Sequence, residues 1–175
     1  MNSEYCLPFD ANNNPVRISQ GHHGPWSHMK FDGSDSTYAV DFALPLESPV
    51  LAAGDGTVIG FVDDVESYYT GTDPKIGLGL PTNMVVIKHG DGTIAFYLHL
   101  KKDSASVTKG QQIRQGDIIG VTGLSGWIGL RPHLHFQVNT SVDMEKSLPI
   151  TFRDYSGPLE HNEIYPPSKG IEGKK

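Results

Sequence analysis

Apolar and polar residues alternate every second position in several short stretches, a rhythm that predicts β-strands and not helices. The clearest stretch runs from residue 130 to 138, L-R-P-H-L-H-F-Q-V. In it His133, His135 and Gln137 fall on one face, and Leu134, Phe136 and Val138 on the other. In 38–43, Tyr38, Val40 and Phe42 share one face, with Ala39, Asp41 and Ala43 opposite. In 93–100, Phe96, Leu98 and Leu100 point one way, and Tyr97 and His99 the other. A short strand is expected at 16–19, and 50–62 reads as two strands about Gly54-Asp55-Gly56. Residues 83–89 and 93–100 form a hairpin about Gly90-Asp91-Gly92, because Asp-Gly supplies the backbone angles of a tight turn. Residues 107–122 hold short strands separated by glycine turns, and Leu148 to Phe152 offers a last one. The expected class is therefore all-β and turn-rich, with antiparallel pairing at the Asp-Gly hairpin.

Between the strands lie a glycine-proline loop at 21–28, a turn-rich spacer at 32–36 and a loop at 123–132. The stretch 63–82 reads as one long irregular loop, of the length that commonly serves a binding site. At 175 residues, one domain over 1–175 is expected, with a core from about 5 to 155 and an irregular tail over 156–175. The net charge is -6 with no basic block, which argues against nucleic acid as a partner. The single cysteine, Cys6, excludes an internal disulfide and a cysteine-based zinc site. No apolar run approaches the length of a membrane span. The first ten residues lack the charged-then-apolar pattern of a signal peptide, so these residues leave the compartment open.

The chemistry-bearing residues sit on this strand pattern. Two residues along a strand are about 7 Å apart, so the His133 and His135 rings can converge on one small object. A divalent metal is the natural user, since neutral imidazole is its commonest side-chain ligand. Two ordinary surface histidines are the plain alternative. Asp41 lies within an apolar strand, and a buried carboxylate must be paired, neutralised or metal-bound. Capping of a nearby loop is the plainer reading of the same residue. A zinc enzyme needs three N or O ligands with an open position, and a further group to move protons. His28, Asp41, His99, His133 and His135 suffice for both roles. No G-x-S-x-G motif is present, and Cys6 stands too near the terminus for a credible cysteine nucleophile.

Read in order, the chain contains S-H-x(12)-D-F, V-L-A-A-G-D-G-T-V, N-M-V-V-I-K-H-G-D-G-T-I-A-F-Y-L-H-L, K-G-Q-Q-I-R-Q-G-D-I-I-G-V-T-G-L-S-G and R-P-H-L-H-F. This series resembles the lysostaphin-type zinc endopeptidases over about residues 5 to 140. The resemblance implies an antiparallel β fold of the duplicated hybrid motif kind, with a groove across a sheet. It implies Zn²⁺ held by His28, Asp41 and His135, with His99 and His133 as catalytic imidazoles that do not bind the metal. Many members place the first ligand four residues before the aspartate, where this chain has Thr37. His28 therefore takes that role, with His22 and His23 as rivals. Tyr97, Ser125 and Trp127 are candidates for the groove lining, core packing being the plainer reading of Tyr97. His89 and His161 are read as non-catalytic.

By the same resemblance, the substrate is a peptide cross-bridge or stem peptide of bacterial peptidoglycan. The location is then the cell envelope, extracellular or periplasmic, and a monomer that does not span the membrane is expected. Two other classes compete. A non-catalytic relative that regulates other wall hydrolases would have lost ligands, and this chain has lost none. A cupin-type metal oxygenase would carry a glutamate soon after H-x-H, and Phe136 to Thr140 contains none.

Overall fold

The computed structural model describes residues 5–12, 14–129, 131–157, 159 and 164–165. His161 and most of the 156–175 tail lie outside these described residues. In chain order the strands are β1 (Val16–Gln20), β2 (Lys30–Phe31), β3 (Ser34–Asp35), β4 (Val40–Phe42), β5 (Pro49–Leu51), β6 (Gly56–Val62) and β7 (Tyr68–Tyr69). A single helical turn, α1 (Pro74–Gly77), precedes β8 (Met84–His89) and β9 (Ile94–Leu98). Then come β10 (Gln112–Ile113), β11 (Ile118–Val121), β12 (Gly126–Trp127), β13 (Leu134–Asn139) and β14 (Ile164–Tyr165).

Eight of these strands form one sheet in the order β10-β6-β8-β9-β13-β4-β1-β14, and its ladders are antiparallel. The fold is the all-β class that the alternation predicts, with the antiparallel sheet that the family resemblance implies. The Asp91-Gly92 turn closes the β8–β9 hairpin in register from Met84↔Leu98 to Lys88↔Ile94. β13 pairs with β9 on one side and β4 on the other, so it sits mid-sheet. Leu134, Phe136 and Val138 enter the main core with Ile18, Val40, Phe42 and Tyr97. Burying each such side chain contributes roughly 1.5–3 kcal/mol, which fixes which face of β13 turns inward.

Three expectations are corrected. Leu148 to Phe152 is not a strand: Ser147, Phe152 and Tyr155 make only isolated bridges. Pro149 has no N–H to donate to a ladder. Ile150 and Phe152 are nevertheless buried in the core. The 63–82 stretch is not wholly irregular, since it holds β7 and α1. Asp73 caps α1, its side chain accepting from the Lys75 N–H, and Pro74 follows where a missing N–H costs nothing. Finally, β7 pairs in parallel with β12, Tyr68 opposite Gly126 and Tyr69 opposite Trp127, which ties the long loop to the segment before β13. Gly126 has φ +77, and a Cβ there would collide with the Thr82 side chain, so only glycine suits this crossing.

Candidate metal centre

Sheet register builds the site. His135 lies opposite Asp41, and Asp41 lies opposite Gln20 across a bulge in β1. The next row, Leu134, Phe42 and Ile18, turns to the core. One strand thus supplies core on one face and imidazole on the other. His28 arrives separately, on the loop after β1, and is buried.

His28 Nδ1 lies 2.7 Å from the Gly21 carbonyl, so Nδ1 carries the proton and Nε2 presents a lone pair. His135 is tied the other way round: its Nε2 lies 2.7 Å from Gln137 Oε1, which leaves Nδ1 as the lone pair. These two nitrogens meet Asp41 Oδ1 at 3.2 Å from His28 Nε2 and 2.9 Å from His135 Nδ1. All three ligand atoms lie within 4.8 Å of one another. They are acceptors facing acceptors, and neither His28 Nε2 nor Asp41 Oδ1 has a hydrogen-bond donor. Such a buried arrangement is repulsive until a proton or a cation sits among the lone pairs. Ligands at about 2.0–2.1 Å from a tetrahedral zinc stand roughly 3.3 Å apart, close to the separations here. The donor set and its orphaned lone pairs therefore fit Zn²⁺.

The charges respond to this crowding. Without zinc a proton takes the cation's place: burial alone would push the Asp41 carboxyl up, but positive charge on the His28 and His133 rings, and ring protons of His135 and His28 turned onto its oxygens, hold it well below the usual range. Burial alone would lower His135, yet its contact with the Asp41 carboxylate, with help from Gln137, raises it.

Two glutamines that the sequence pattern did not single out hold these ligands. Gln20 Nε2 donates to Asp41 Oδ2 at 3.0 Å and to Ser27 Oγ at 2.7 Å. Its Oε1 accepts from the Trp26 and Ser27 N–H groups at 2.9 and 3.2 Å. Gln20 thus engages one carboxylate oxygen, leaves Oδ1 for a metal, and fastens the loop that carries His28. Gln137 passes the orientation of His135 onward, its Nε2 donating to Asn139 Oδ1 at 2.6 Å. Asn139 Nδ2 in turn donates to the Asp35 carbonyl at 3.3 Å. Partners of this kind fix the tautomer and aim of metal-binding histidines. The available signal was Gln137 two places after His135, on the same strand face.

His99 and His133 stand beside the triad, with ring centroids 4.7 Å apart. His133 Nδ1 lies 3.0 Å from the Arg131 carbonyl, and its Nε2 is 3.7 Å from Asp41 Oδ2. His99 Nδ1 lies 2.8 Å from the Ser125 carbonyl. Both rings therefore direct an Nε2 lone pair away from the backbone. Burial, reinforced by His133 and His135, pushes His99 down to about 3. The mid-strand placement expected for His99 is corrected. β9 ends at Leu98, and His99 has φ +67. Strict alternation would put it on the Tyr97 side, which is core. The left-handed backbone turns it to the metal face instead.

The site opens into a cleft of about 310 Å³ with Asp41, His99, His133 and His135 at its floor. Trp26, Thr70, Gly71, Thr72 and Trp127 also line it. Trp127 Nε1 donates to the Gly71 carbonyl at 2.8 Å, so its indole braces the long loop. Gly77 approaches this ring so closely that a Cβ would overlap it.

Of the three expected lining residues, the cleft gains only Trp127. Tyr97 is fully buried in the core, its hydroxyl accepting from the Ala53 N–H at 2.8 Å. Alternation put it opposite Phe96 correctly, but the Tyr97 face is the core face. Ser125 is buried behind His99, its hydroxyl donating to the Leu100 carbonyl and accepting from the Asn83 N–H. Among the described residues, the group able to hold a metal is His28, Asp41 and His135. His22 and His23 pack on Tyr38 and are not part of that group. His89 packs on Tyr5 with Nδ1 on the Asp55 carbonyl, outside the cleft.

Residues 35–147 match the model of peptidase family M23. The chain belongs to this family. Its relatives include the peptidoglycan DD-endopeptidase ShyA of Vibrio cholerae, 38% identical over 98 residues. That match covers 56% of this chain and 19% of ShyA. The glycyl-glycine endopeptidase ALE-1 of Staphylococcus capitis is 34% identical over 104 residues, 59% of this chain and 25% of ALE-1. The chain thus spans a quarter or less of these two relatives. Among solved structures, a zinc-containing peptidase from Vibrio cholerae aligns with TM-score 0.57 and 27% identity. It covers 84% of this chain and 39% of that one. The catalytic domain of the prophage-encoded M23 protein EnpA from Enterococcus faecalis aligns with TM-score 0.54 and 25% identity, over 85% of this chain and 98% of that domain. The antiparallel sheet is thus that of an M23, lysostaphin-type peptidase domain.

Proposed function

We propose that this M23 chain is a zinc-dependent endopeptidase acting on peptides of bacterial peptidoglycan, working as one domain in the cell envelope. The observation that carries the reading is the convergence of His28 Nε2, Asp41 Oδ1 and His135 Nδ1 beside an open cleft, with the first two lacking any hydrogen-bond partner. ShyA and ALE-1, both named as endopeptidases, support the reaction type. No helix among the described residues is long and apolar enough to cross a membrane. A monomer is the simplest assembly for a site supplied by one chain.

His28, Asp41 and His135 would hold the zinc, which supplies Lewis acidity to the scissile carbonyl and acidifies an attacking water. Asp41 keeps its second oxygen on Gln20, which orients the carboxylate. His133 accepts the proton of the attacking water at Nε2, because the imidazolium formed there stands 3.7 Å from Asp41 Oδ2. His133 then returns that proton to the leaving amine, while His99, held neutral by burial with its Nδ1–H on the Ser125 carbonyl, accepts a hydrogen bond at Nε2 that positions the attacking water. Incubating the zinc-loaded protein with defined muropeptides and weighing the products tests the proposal. New amino and carboxyl termini are expected, and intact substrate with stoichiometric zinc bound would overturn it.

A further inference from the structure

We infer that the cleft selects a peptide bearing a free carboxylate, bound by Arg17 and Arg131, over a neutral peptide such as an oligoglycine bridge. This rests on the endopeptidase reading and narrows it. The relatives leave the choice open, since one is named a DD-endopeptidase and another a glycyl-glycine endopeptidase.

Charge is the first ground. The chain carries -6 overall, with 20 acidic and 14 basic residues. Yet the charged side chains lining the cleft are Arg17, Arg131 and Asp41, and Asp41 is committed to the metal site. So the available fixed charge in this cleft is positive, against the sign of the whole molecule. Neither guanidinium has a carboxylate within ion-pair distance among the described residues, although Lys101 and Lys102 elsewhere do.

Register is the second ground. The Ala43 N–H donates to the Arg17 carbonyl at 2.9 Å, and Phe42 lies opposite Leu134. One step further along the same ladder sets Ala43 opposite His133. Arg17, Ala43 and His133 therefore form one row on the metal face, two strand spacings or roughly 10 Å across. Arg131 stands two residues before His133, and its own carbonyl holds His133 Nδ1. Both arginines thus line the cleft with the proposed proton-transfer residue, Arg17 set across the sheet from it and Arg131 two residues before it along the chain. A planar guanidinium fork suits a carboxylate, which it binds with two parallel hydrogen bonds. A peptide seated over His133 with a carboxylate to one side would meet this charge, and an uncharged glycine run would not.

The test uses a cross-linked stem-peptide dimer with free carboxylates, its twin amidated at the C-terminus, a twin amidated at the side-chain carboxylates, a fully amidated twin, and pentaglycine. For the zinc-loaded protein, kcat/KM is expected to be at least ~10-fold higher for the free dimer than for its fully amidated twin. The partial twins report which carboxylate is read, since only one of them should lose the preference. In the Arg17→Gln/Arg131→Gln double variant that ratio should fall to near one, through KM more than kcat, with zinc content unaltered. Calorimetry with zinc-free protein gives a readout independent of turnover: the free dimer should bind ~10-fold more weakly to the double variant, and more weakly to the wild type in high salt. Equal kcat/KM for free and fully amidated dimers, better cleavage of pentaglycine, or a ratio unmoved by the double substitution would each overturn the inference. If folded, zinc-loaded protein cleaves none of the peptides, the endopeptidase reading fails, and the calorimetric comparison alone decides the carboxylate preference.

Discussion

The two faces of β13 are equally buried and are held by opposite means. On one, Leu134, Phe136 and Val138 pack into the main core, where attraction is non-directional and depends on shape and area. On the other, His133, His135, Gln137 and Asn139 are buried with them. There every ring nitrogen and amide has a direction: His135 to Gln137, Gln137 to Asn139, Asn139 to the Asp35 carbonyl. The apolar face sets the position of the strand, and the polar face sets the aim of its side chains. A reactive imidazole needs both, because burial removes the water that would otherwise satisfy it.

Substitutions on and around each face separate these contributions. The largest effect is expected for Asp41→Ala, which removes the ligand shared by His28 and His135. Bound zinc, by metal analysis of the purified protein, should fall from stoichiometric to near zero, and retained zinc would exclude Asp41 as a ligand. His133→Ala should keep the metal and lower kcat by about 10²–10⁴, the usual worth of a positioned proton-transfer group. A fully active variant would remove His133 from the mechanism. On the apolar face, Phe136→Ala should cost about 3–5 kcal/mol in urea unfolding. The fraction that remains folded should still bind zinc one to one; loss of zinc from folded protein would mean that the two faces are not separable.

Smaller effects are expected from the supporting amides. Gln137→Leu leaves the His135 Nε2–H without its acceptor, and Gln20→Met frees Asp41 Oδ2. Each should weaken zinc binding by roughly 10–100-fold in chelator competition. Wild-type affinity in both would reduce the network to packing. The smallest concerns His22, a half-buried histidine outside the metal-binding group. Burial, with His23 and His28 adding, pushes it down to about 4 from 6.5. The unfolded chain therefore takes up this proton first as pH falls. The zinc-free protein should lose stability between pH 6.5 and about 4 on this account, and none from this group above that window. His22→Gln should shallow the pH dependence of the urea midpoint by less than one proton; an unchanged slope would place His22's proton elsewhere.

Much of this was legible in the chain. Period-two alternation found β13, β4 and the β8–β9 hairpin, and placed Asp41 and His135 on faces opposite apolar residues. Alternation names two faces but not which of them is core. Tyr97 thus stands as a groove candidate with core packing as its plainer reading, and the structure puts it in the core beside Phe136, ring centroids 5.1 Å apart. His99 reached the site because of a positive φ that no pattern of side chains encodes. Gln20 and Arg17 looked ordinary, since their significance comes from strands distant in sequence.

The amino-acid sequence by itself determined the strand class, the turns and the supply of imidazoles and carboxylate, because these follow from residue type and from spacings of a few residues. Only the tertiary structure decided that His28, Asp41 and His135 share one point, that Gln20 and Gln137 aim them, and that the long loop walls the cleft through Trp127. Those facts depend on which strands pair and in what register. Register is set by the sum of many apolar contacts across the whole sheet and not by any local stretch.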